Sequence, residues 1–144
     1  MVVLNWIQDH WFELAQTLIA IGGFFYAVRT LREDIKVKKL ECGFRLTKHH
    51  REIWSEFYRR PELARVLEAK SDLIAKPVTH DERLFVTFVI LHTKNAYRAS
   101  CADFYLKPES LKKDIADFFS RSIPATVWSE IREFQDRDFV DFVG

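Results

Sequence analysis

Arg45 and His50, separated by four residues in the segment RLTKHH, are side chains of the types that can cleave RNA. A histidine can act as a general base on the attacking ribose 2′-hydroxyl. An arginine beside it can stabilise the negative charge that develops on the phosphate. This pair is therefore the first candidate for chemistry in the sequence.

The interval between Arg45 and His50 is also the spacing of the HEPN ribonuclease motif, whose chemistry needs two copies facing each other across a dimer. The HEPN motif usually has a polar residue directly after the arginine, where this chain has Leu46. The alternative is a basic, solvated helix face made by Arg45, Lys48, His49 and Arg51. We expect the basic face and keep the ribonuclease as the alternative.

Other patterns for catalysis or metal binding are absent from the sequence. It contains no Gly-rich phosphate loop, no Ser-His-Asp arrangement and no H-E-x-x-H motif. His49 and His50 have no third ligand at a matching spacing. Cys42 and Cys101 lie far apart without a CxxC pattern, which favours reduced, buried thiols. We therefore expect no enzyme activity, no cofactor and no metal.

Charge and composition narrow the classes of function further. The formal net charge of the 144-residue chain is +1, which gives no reason to expect direct DNA binding. Glycine and proline number four each, so linkers and low-complexity segments are not expected. The length suits one folded domain of ordinary size.

A long uncharged run near the N-terminus indicates a membrane segment. Residues 14–28 carry no charge, and the run covers roughly 22 Å of a hydrocarbon core that is ~30 Å thick. Interfacial side chains at its edges can supply the rest: Trp6, Trp11, Tyr26, Arg29 and Arg32. The sequence therefore predicts one membrane span, and the alternative is a buried helix of a soluble protein.

The charges around this run predict its orientation. Acidic residues precede the run and basic residues follow it, which is typical of an uncleaved anchor and not of a signal peptide. The basic cluster after the run comprises Arg29, Arg32, Lys36, Lys38 and Lys39. The positive-inside rule then places the N-terminus outside and the rest of the chain in the cytoplasm.

One face of the predicted span is polar at its outer end and small further in. At about 100° per residue, six residues fall within roughly 40° of one line and form what we call the small-polar stripe: Asp9, Glu13, Gln16, Ala20, Gly23 and Ala27. Small residues let helices approach closely, and acidic or amide groups at membrane depth face protein or water. The stripe predicts self-association and, with enough copies, a water-filled path. The alternative is that the acids lie among lipid headgroups and the small residues are incidental.

Beyond the span, apolar residues recur at spacings of three and four, which is typical of helices. We expect helices over 31–60, with Gly43 as a candidate position for a kink, over 61–69 from Pro61, and after the capping-box pattern of Thr79 and Glu82. The run LFVTFVIL is apolar on all sides and predicts a central core helix that also holds His92 as a core histidine. Further helices are expected over 109–120, over 124–134 and over 136–143.

No segment shows a convincing strand period. The sequence therefore predicts an all-α fold, in which an N-terminal transmembrane helix is followed by a cytoplasmic helical bundle of about five or six helices. Residues 1–30 would hold the N-terminal segment and the transmembrane helix. Residues 31–144 would form the cytoplasmic helical domain.

Four segments resemble a class of small bacterial single-span membrane proteins that carry a helical cytoplasmic domain. They are WIQDHWFELAQTLIAIGGFF, REIWSEFYRRPELARVL, LKKDIADFFSRSIPATVWSEI and FQDRDFVDFV. Some of these proteins are similar to abortive-infection or anti-phage effectors, and to the membrane accessory proteins of type VI CRISPR systems, which combine an anchor, a HEPN-like fold and an oligomeric pore. The resemblance implies a bacterial inner-membrane location and a role in defence, and it assigns no catalytic residue.

The expected function is that of a membrane-anchored anti-phage effector of the abortive-infection type. It would self-associate as a homo-oligomer through the small-polar stripe and form an ion-conducting pore that disrupts the host membrane. A nucleotide second messenger or a partner protein of a defence system would activate it. The alternatives are a membrane-tethered HEPN-like ribonuclease that uses Arg45 and His50, and a non-enzymatic membrane scaffold for a cytosolic partner.

Overall fold

The computed structural model describes the backbone of residues 2–144, and the side chains of Trp6 and of residues 10–144. Within that part all regular structure is helical, without a strand, which confirms the predicted all-α fold. The α-helices are α1 (Val2–Arg59), α2 (His80–Cys101), α3 (Pro108–Phe119), α4 (Ser122–Ile131) and α5 (Arg137–Val143). The 3₁₀ segments Pro61–Leu67 and Arg132–Phe134 lie between them.

The chain divides into two compact units, one ending at Lys38 and the other comprising Lys39–Gly144. We call them the N-terminal unit and the helical domain. The boundary between these units does not test where the membrane-spanning segment ends. Its end at residue 30 stays a prediction. Helix α1 contributes to both units.

In the N-terminal unit, α1 departs from helical geometry at His10, whose φ is −119° and ψ is 15°. The His10 ring stacks on Trp6 with centroids 4.8 Å apart, and its Nδ1 donates to the Trp6 carbonyl oxygen over 3.0 Å. From His10 onward the helix is long and apolar enough to cross a membrane. None of the residues in its most apolar 18-residue stretch is buried.

Two threonine hydroxyl groups of the N-terminal unit form hydrogen bonds with backbone carbonyls of the same helix. The Thr17 Oγ1 donates to the Glu13 carbonyl over 2.8 Å, and the Thr30 Oγ1 donates to the Tyr26 carbonyl over 3.0 Å. An α-helix also pairs its main-chain groups internally, which is the condition for passing through lipid. The helix therefore satisfies these polar groups without any contact outside itself.

The helical domain is held together by a core from α2, α3, α4, α5 and the first 3₁₀ segment. Its most deeply buried side chains are Leu63, Val66, Val86, Ile90, Ile123, Pro124, Val127 and Phe139. Aromatic rings link the elements, since Trp128 lies 5.1 Å from Phe119 and 5.7 Å from Phe139 between centroids. The C-terminal part of α1 joins this core through Phe57, whose ring meets Phe85 edge-on at 4.6 Å.

Several predicted element boundaries are wrong. Helix α1 continues through Gly43, the candidate position for a kink, and departs from helical geometry at His10 instead. The segment after Pro61 is a 3₁₀ helix that ends at Leu67, because Glu68 has extended backbone (φ −67°, ψ 134°). Helix α4 begins two residues before Pro124, whose missing N–H is tolerated within a first turn.

The capping box at the start of α2 is confirmed and extends into a buried ion pair. The Thr79 Oγ1 accepts from the Glu82 N–H over 3.2 Å, and the Glu82 carboxylate accepts from the Thr79 N–H over 2.8 Å. Arg65 donates to both carboxylate oxygens of Glu82 at 2.6 Å, and to the carbonyls of Lys76 and Pro77. The Arg65 guanidinium lowers the pKa of the Glu82 carboxyl from 4.5 to about 2. This network ties the 3₁₀ segment and the loop after it to α2.

The run LFVTFVIL lies on α2, which contributes to the core as predicted, but only one of its faces is buried. Phe85, Val86 and Ile90 are buried, but the opposite face of α2 is exposed to 46% at Leu84, 63% at Phe88 and 48% at Leu91. These three residues lie at i, i+4 and i+7, so they form one row on the helix surface. The core therefore covers one side of α2 and leaves an apolar row open on the other.

Candidate functional site

The residues predicted for the small-polar stripe are exposed on α1. Glu13, Gln16, Ala20, Gly23 and Ala27 all have exposed surface, and the Asp9 side chain lies outside the described residues. A Cβ built on Gly23 would meet nothing within 4 Å. Another helix can therefore approach the backbone closely along this face.

The residues predicted for the membrane interface are also exposed. The exposed fraction is 52% for Trp6, 63% for Trp11 and 75% for Tyr26. The Arg29 Nε forms an ion pair with a Glu33 oxygen at 3.2 Å, one turn further along the helix. Amphipathic rings that are open on the helix surface are free to lie at the level of lipid headgroups.

Arg45 and His50 do not form a site within one chain. Five residues apart on a helix, they point about 140° away from each other. The Arg45 Nη2 donates to a Glu41 oxygen over 2.6 Å, and the His50 Nε2 accepts from the Trp54 Nε1 over 2.9 Å. Each side chain thus contacts a neighbour on its own helix, and ribonuclease chemistry would need a second chain to complete the pair.

A groove of about 490 Å³ lies between α1 and α2 in the helical domain, and sequence reasoning missed it. Its floor is apolar, because Leu46 and Phe85 at its base are only 7% and 5% exposed. Five residues of α1 and five of α2 line it: Leu46, His49, Glu52, Ile53, Glu56, Phe85, Phe88, Leu91, His92 and Asn95. We call this surface the α1/α2 groove.

His92 lies in the wall of this groove and not in the core, so its predicted place as a core histidine is wrong. The ring is partly buried, and its centroid lies 5.6 Å from that of His50. Burial, followed by the Coulombic effect of the neighbouring His50 and His49, lowers the pKa of His92 below 6.5. The ring therefore remains neutral at a pH where a free histidine is already partly charged.

The described residues contain no group of three or more His, Cys, Asp or Glu side chains that could hold a metal ion. Cys42 is partly buried and Cys101 is exposed, and both are free thiols. The expectations of no metal, no cofactor and no enzyme activity stay predictions.

Comparison of the chain with protein-family models, curated proteins and solved structures gives no match. The resemblance to anti-phage membrane effectors therefore stays a prediction, and residue roles rest on the geometry alone. In the sequence, the α2 side of the groove corresponds to Phe88 and Leu91, which belong to the apolar row that begins at Leu84. A row with that spacing is equally typical of a buried helix face.

Proposed function

We propose that this protein is a single-span membrane effector that self-associates through the small-polar stripe and conducts ions across the membrane. One observation supports the anchor above all: the most apolar stretch of α1 has no buried residue. In water such a helix would expose large apolar side chains, at a cost of about 25 cal/mol for each Å². Lipid removes that cost, so the membrane is the environment that this helix fits.

The distribution of side chains around α1 supports self-association. Leu18 and Phe25, on the side opposite the stripe, are exposed to 69% and 68% and suit lipid. Glu13 and Gln16 are unsuited to contact with lipid, because an acid or an amide in the membrane is costly unless it faces protein or water. In a ring of copies packed through Gly23 and Ala27, these polar groups would face a common axis, and a ring of carboxylates attracts cations.

Ion flux through liposomes that contain the purified protein tests the pore. The double variant Glu13→Leu with Gln16→Leu should insert normally and lose cation flux, because the polar lining is gone. The matched control is Leu14→Ala with Leu18→Ala on the opposite face, which should conduct as the natural protein does. Equal flux from both double variants would contradict the assignment of the stripe as the pore lining.

Two adjacent glycines provide a matched test of helix packing. Gly22 and Gly23 are both open to solvent, with nothing within 4 Å of an added Cβ, but only Gly23 belongs to the stripe. Gly23→Leu should lower the mass of the detergent-solubilised oligomer in light scattering, and Gly22→Leu should leave it unchanged. The same mass for both variants would contradict packing through the stripe.

The proposed role in anti-phage defence follows from the resemblance in the sequence and has its own test. Overproduction of an effector should depolarise the cell, either alone or once its activating nucleotide or partner protein is present. A scaffold would leave the membrane potential intact under every condition. The ribonuclease alternative predicts RNA cleavage that is lost in Arg45→Ala and in His50→Ala, with no change in flux.

A further inference from the structure

We propose that the basic row, by which we mean Arg29, Arg32 and Lys36, binds the phosphate groups of anionic lipids on the side of α1 that faces away from the small-polar stripe. This inference rests on the proposed function, because it takes the stripe to face other copies and the opposite side of α1 to face lipid. It adds a lipid ligand that an ion-conducting pore does not by itself require.

The position of the basic row around the helix matches the side of α1 that suits lipid. Eighteen residues make five full turns of an α-helix with about 3.6 residues per turn, so residues at this separation lie above one another. Arg32 follows Leu14 by eighteen residues, and Lys36 follows Leu18 by the same number. Leu14 and Leu18 are both exposed on the side opposite the stripe. The basic row therefore continues this apolar surface.

The position of the basic row along the helix matches the headgroup layer. The uncharged run of residues 14–28 ends shortly before it, and at about 1.5 Å per residue Arg32 lies roughly 6 Å and Lys36 roughly 12 Å beyond Val28. Helical side chains tilt towards the N-terminus, which is here the direction of the membrane. Long basic side chains can also extend along the helix. Both cationic groups can therefore reach lipid phosphates.

The charges of the basic row favour a bound anion. Arg29 pairs with Glu33, whereas Arg32 and Lys36 form no ion pair with any side chain that the structure describes. They are exposed and lie one turn apart, and like charges at this spacing repel each other. An anion between them would remove this repulsion. At the cytoplasmic surface of a membrane, the phosphates of anionic lipids supply such a group.

The other side of α1 provides a matched position at nearly the same depth. Lys38 is exposed like Lys36, but it follows Ala20 by eighteen residues and so lies on the side of the stripe. Asp34 follows Gln16 by the same number and places an acid on that side. In an assembly packed through the stripe, Lys38 faces neighbouring copies while Lys36 faces lipid.

Electron paramagnetic resonance of spin-labelled lipids tests the binding surface. The full chain is reconstituted in phosphatidylcholine bilayers, and the fraction of motionally restricted probe is measured for spin-labelled phosphatidylglycerol and for spin-labelled phosphatidylcholine. The natural protein should restrict more of the phosphatidylglycerol probe. One Lys or Arg near an anionic surface strengthens the attraction about fivefold, so Lys36→Gln should lower this preference by up to about fivefold. Adding Arg32→Gln should lower it further.

Lys38→Gln is the control, because it removes the same charge from the same segment of the chain. It therefore matches Lys36→Gln in net charge and in its effect on orientation in the membrane. Lys38→Gln should keep the lipid preference of the natural protein. Equal restriction of the two probes by the natural protein would overturn the inference, and so would equal losses of preference in Lys36→Gln and Lys38→Gln.

The lipid surface and the pore fail separately. If the natural protein conducts ions but shows no preference between the two probes, lipid binding by the basic row is wrong and the pore stands. If Lys36→Gln lowers the preference and Lys38→Gln does not, while Glu13→Leu with Gln16→Leu leaves the flux unchanged, the basic row binds lipid and the assignment of the pore lining is wrong.

Discussion

Phenylalanine has opposite surroundings in the two units of this chain. Phe139 in the helical domain is 1% exposed and contacts Trp128 and Tyr97, whereas Phe25 in the N-terminal unit is 68% exposed. The helical domain removes its apolar side chains from water by packing them against one another. None of the side chains that the structure describes in the N-terminal unit is buried, so its apolar side chains do not form a core of their own. Apolar content alone does not reveal this difference, because it depends on which neighbours the fold supplies.

The largest expected effect comes from truncating one phenylalanine in each unit. Phe139→Ala should lower the free energy of unfolding by about 3–5 kcal/mol, because it leaves a cavity in the core. Phe25→Ala should change it by no more than about 0.5 kcal/mol. Urea unfolding of the detergent-solubilised protein, followed by Trp fluorescence, measures both. Equal decreases in the free energy of unfolding would contradict the difference in burial between these two phenylalanines.

The buried ion pair gives the next largest effect. Glu82→Gln removes the carboxylate that pairs with the Arg65 guanidinium and should cost about 3–5 kcal/mol. Glu130→Gln is the matched control, because its pair with Arg83 lies on the surface and contributes about 1 kcal/mol or less. Urea unfolding measures both variants, and similar losses would contradict a special role for the buried pair.

The same carboxylate predicts acid sensitivity with a defined sign. The pKa of Glu82 is about 2 in the folded chain, below its ordinary value of 4.5. Its stabilisation is therefore fully present above pH 4.5 and is lost as the pH falls from 4.5 towards 2. Glu82→Gln should flatten the stability profile across this interval.

A single lysine tests the environment of the N-terminal unit. Ile19→Lys should disfavour membrane insertion by about 2.5–3.5 kcal/mol while leaving the unfolding of the helical domain unchanged. Ile74→Lys is the control, since Ile74 is 97% exposed on the helical domain. Quantitative fractionation between membrane and supernatant measures insertion. Unchanged partitioning of Ile19→Lys would contradict a lipid environment for this helix.

The smallest effect concerns His92 in the wall of the α1/α2 groove. Its pKa in the folded chain is below 6.5, so the unfolded chain binds more protons as the pH falls. The helical domain should therefore be most stable above pH 6.5 and lose stability as the pH falls through 6.5 towards the lowered value. His92→Gln should reduce this decline, whereas His80→Gln, at an exposed position, should not. The urea concentrations at the unfolding midpoint, measured on either side of pH 6.5, give the pH dependence of stability for each variant.

Features encoded locally could be predicted from the sequence. The capping box of Thr79 and Glu82 depends on residues three apart, and the start of α3 depends on Pro108. The uncharged run in α1 was also visible as a helix long enough to cross a membrane. In each case a few neighbouring residues determine the outcome.

Features that depend on distant residues were missed. Arg65 lies 17 residues before Glu82, and no spacing rule connects the two. The row at Leu84, Phe88 and Leu91 has the period of a core helix, so the sequence could not reveal that these side chains are exposed. The α1/α2 groove depends on how two helices that are distant in sequence pack together. The apolar periodicity of one helix does not determine that packing.

Alkaline carbonate extraction of membranes from cells that produce the full chain tests the central claim most directly. A helix that spans the bilayer stays in the membrane pellet and is released only by detergent. We predict that the natural protein stays in the pellet completely. Release of the protein into the carbonate supernatant would contradict the span, and with it the proposed pore.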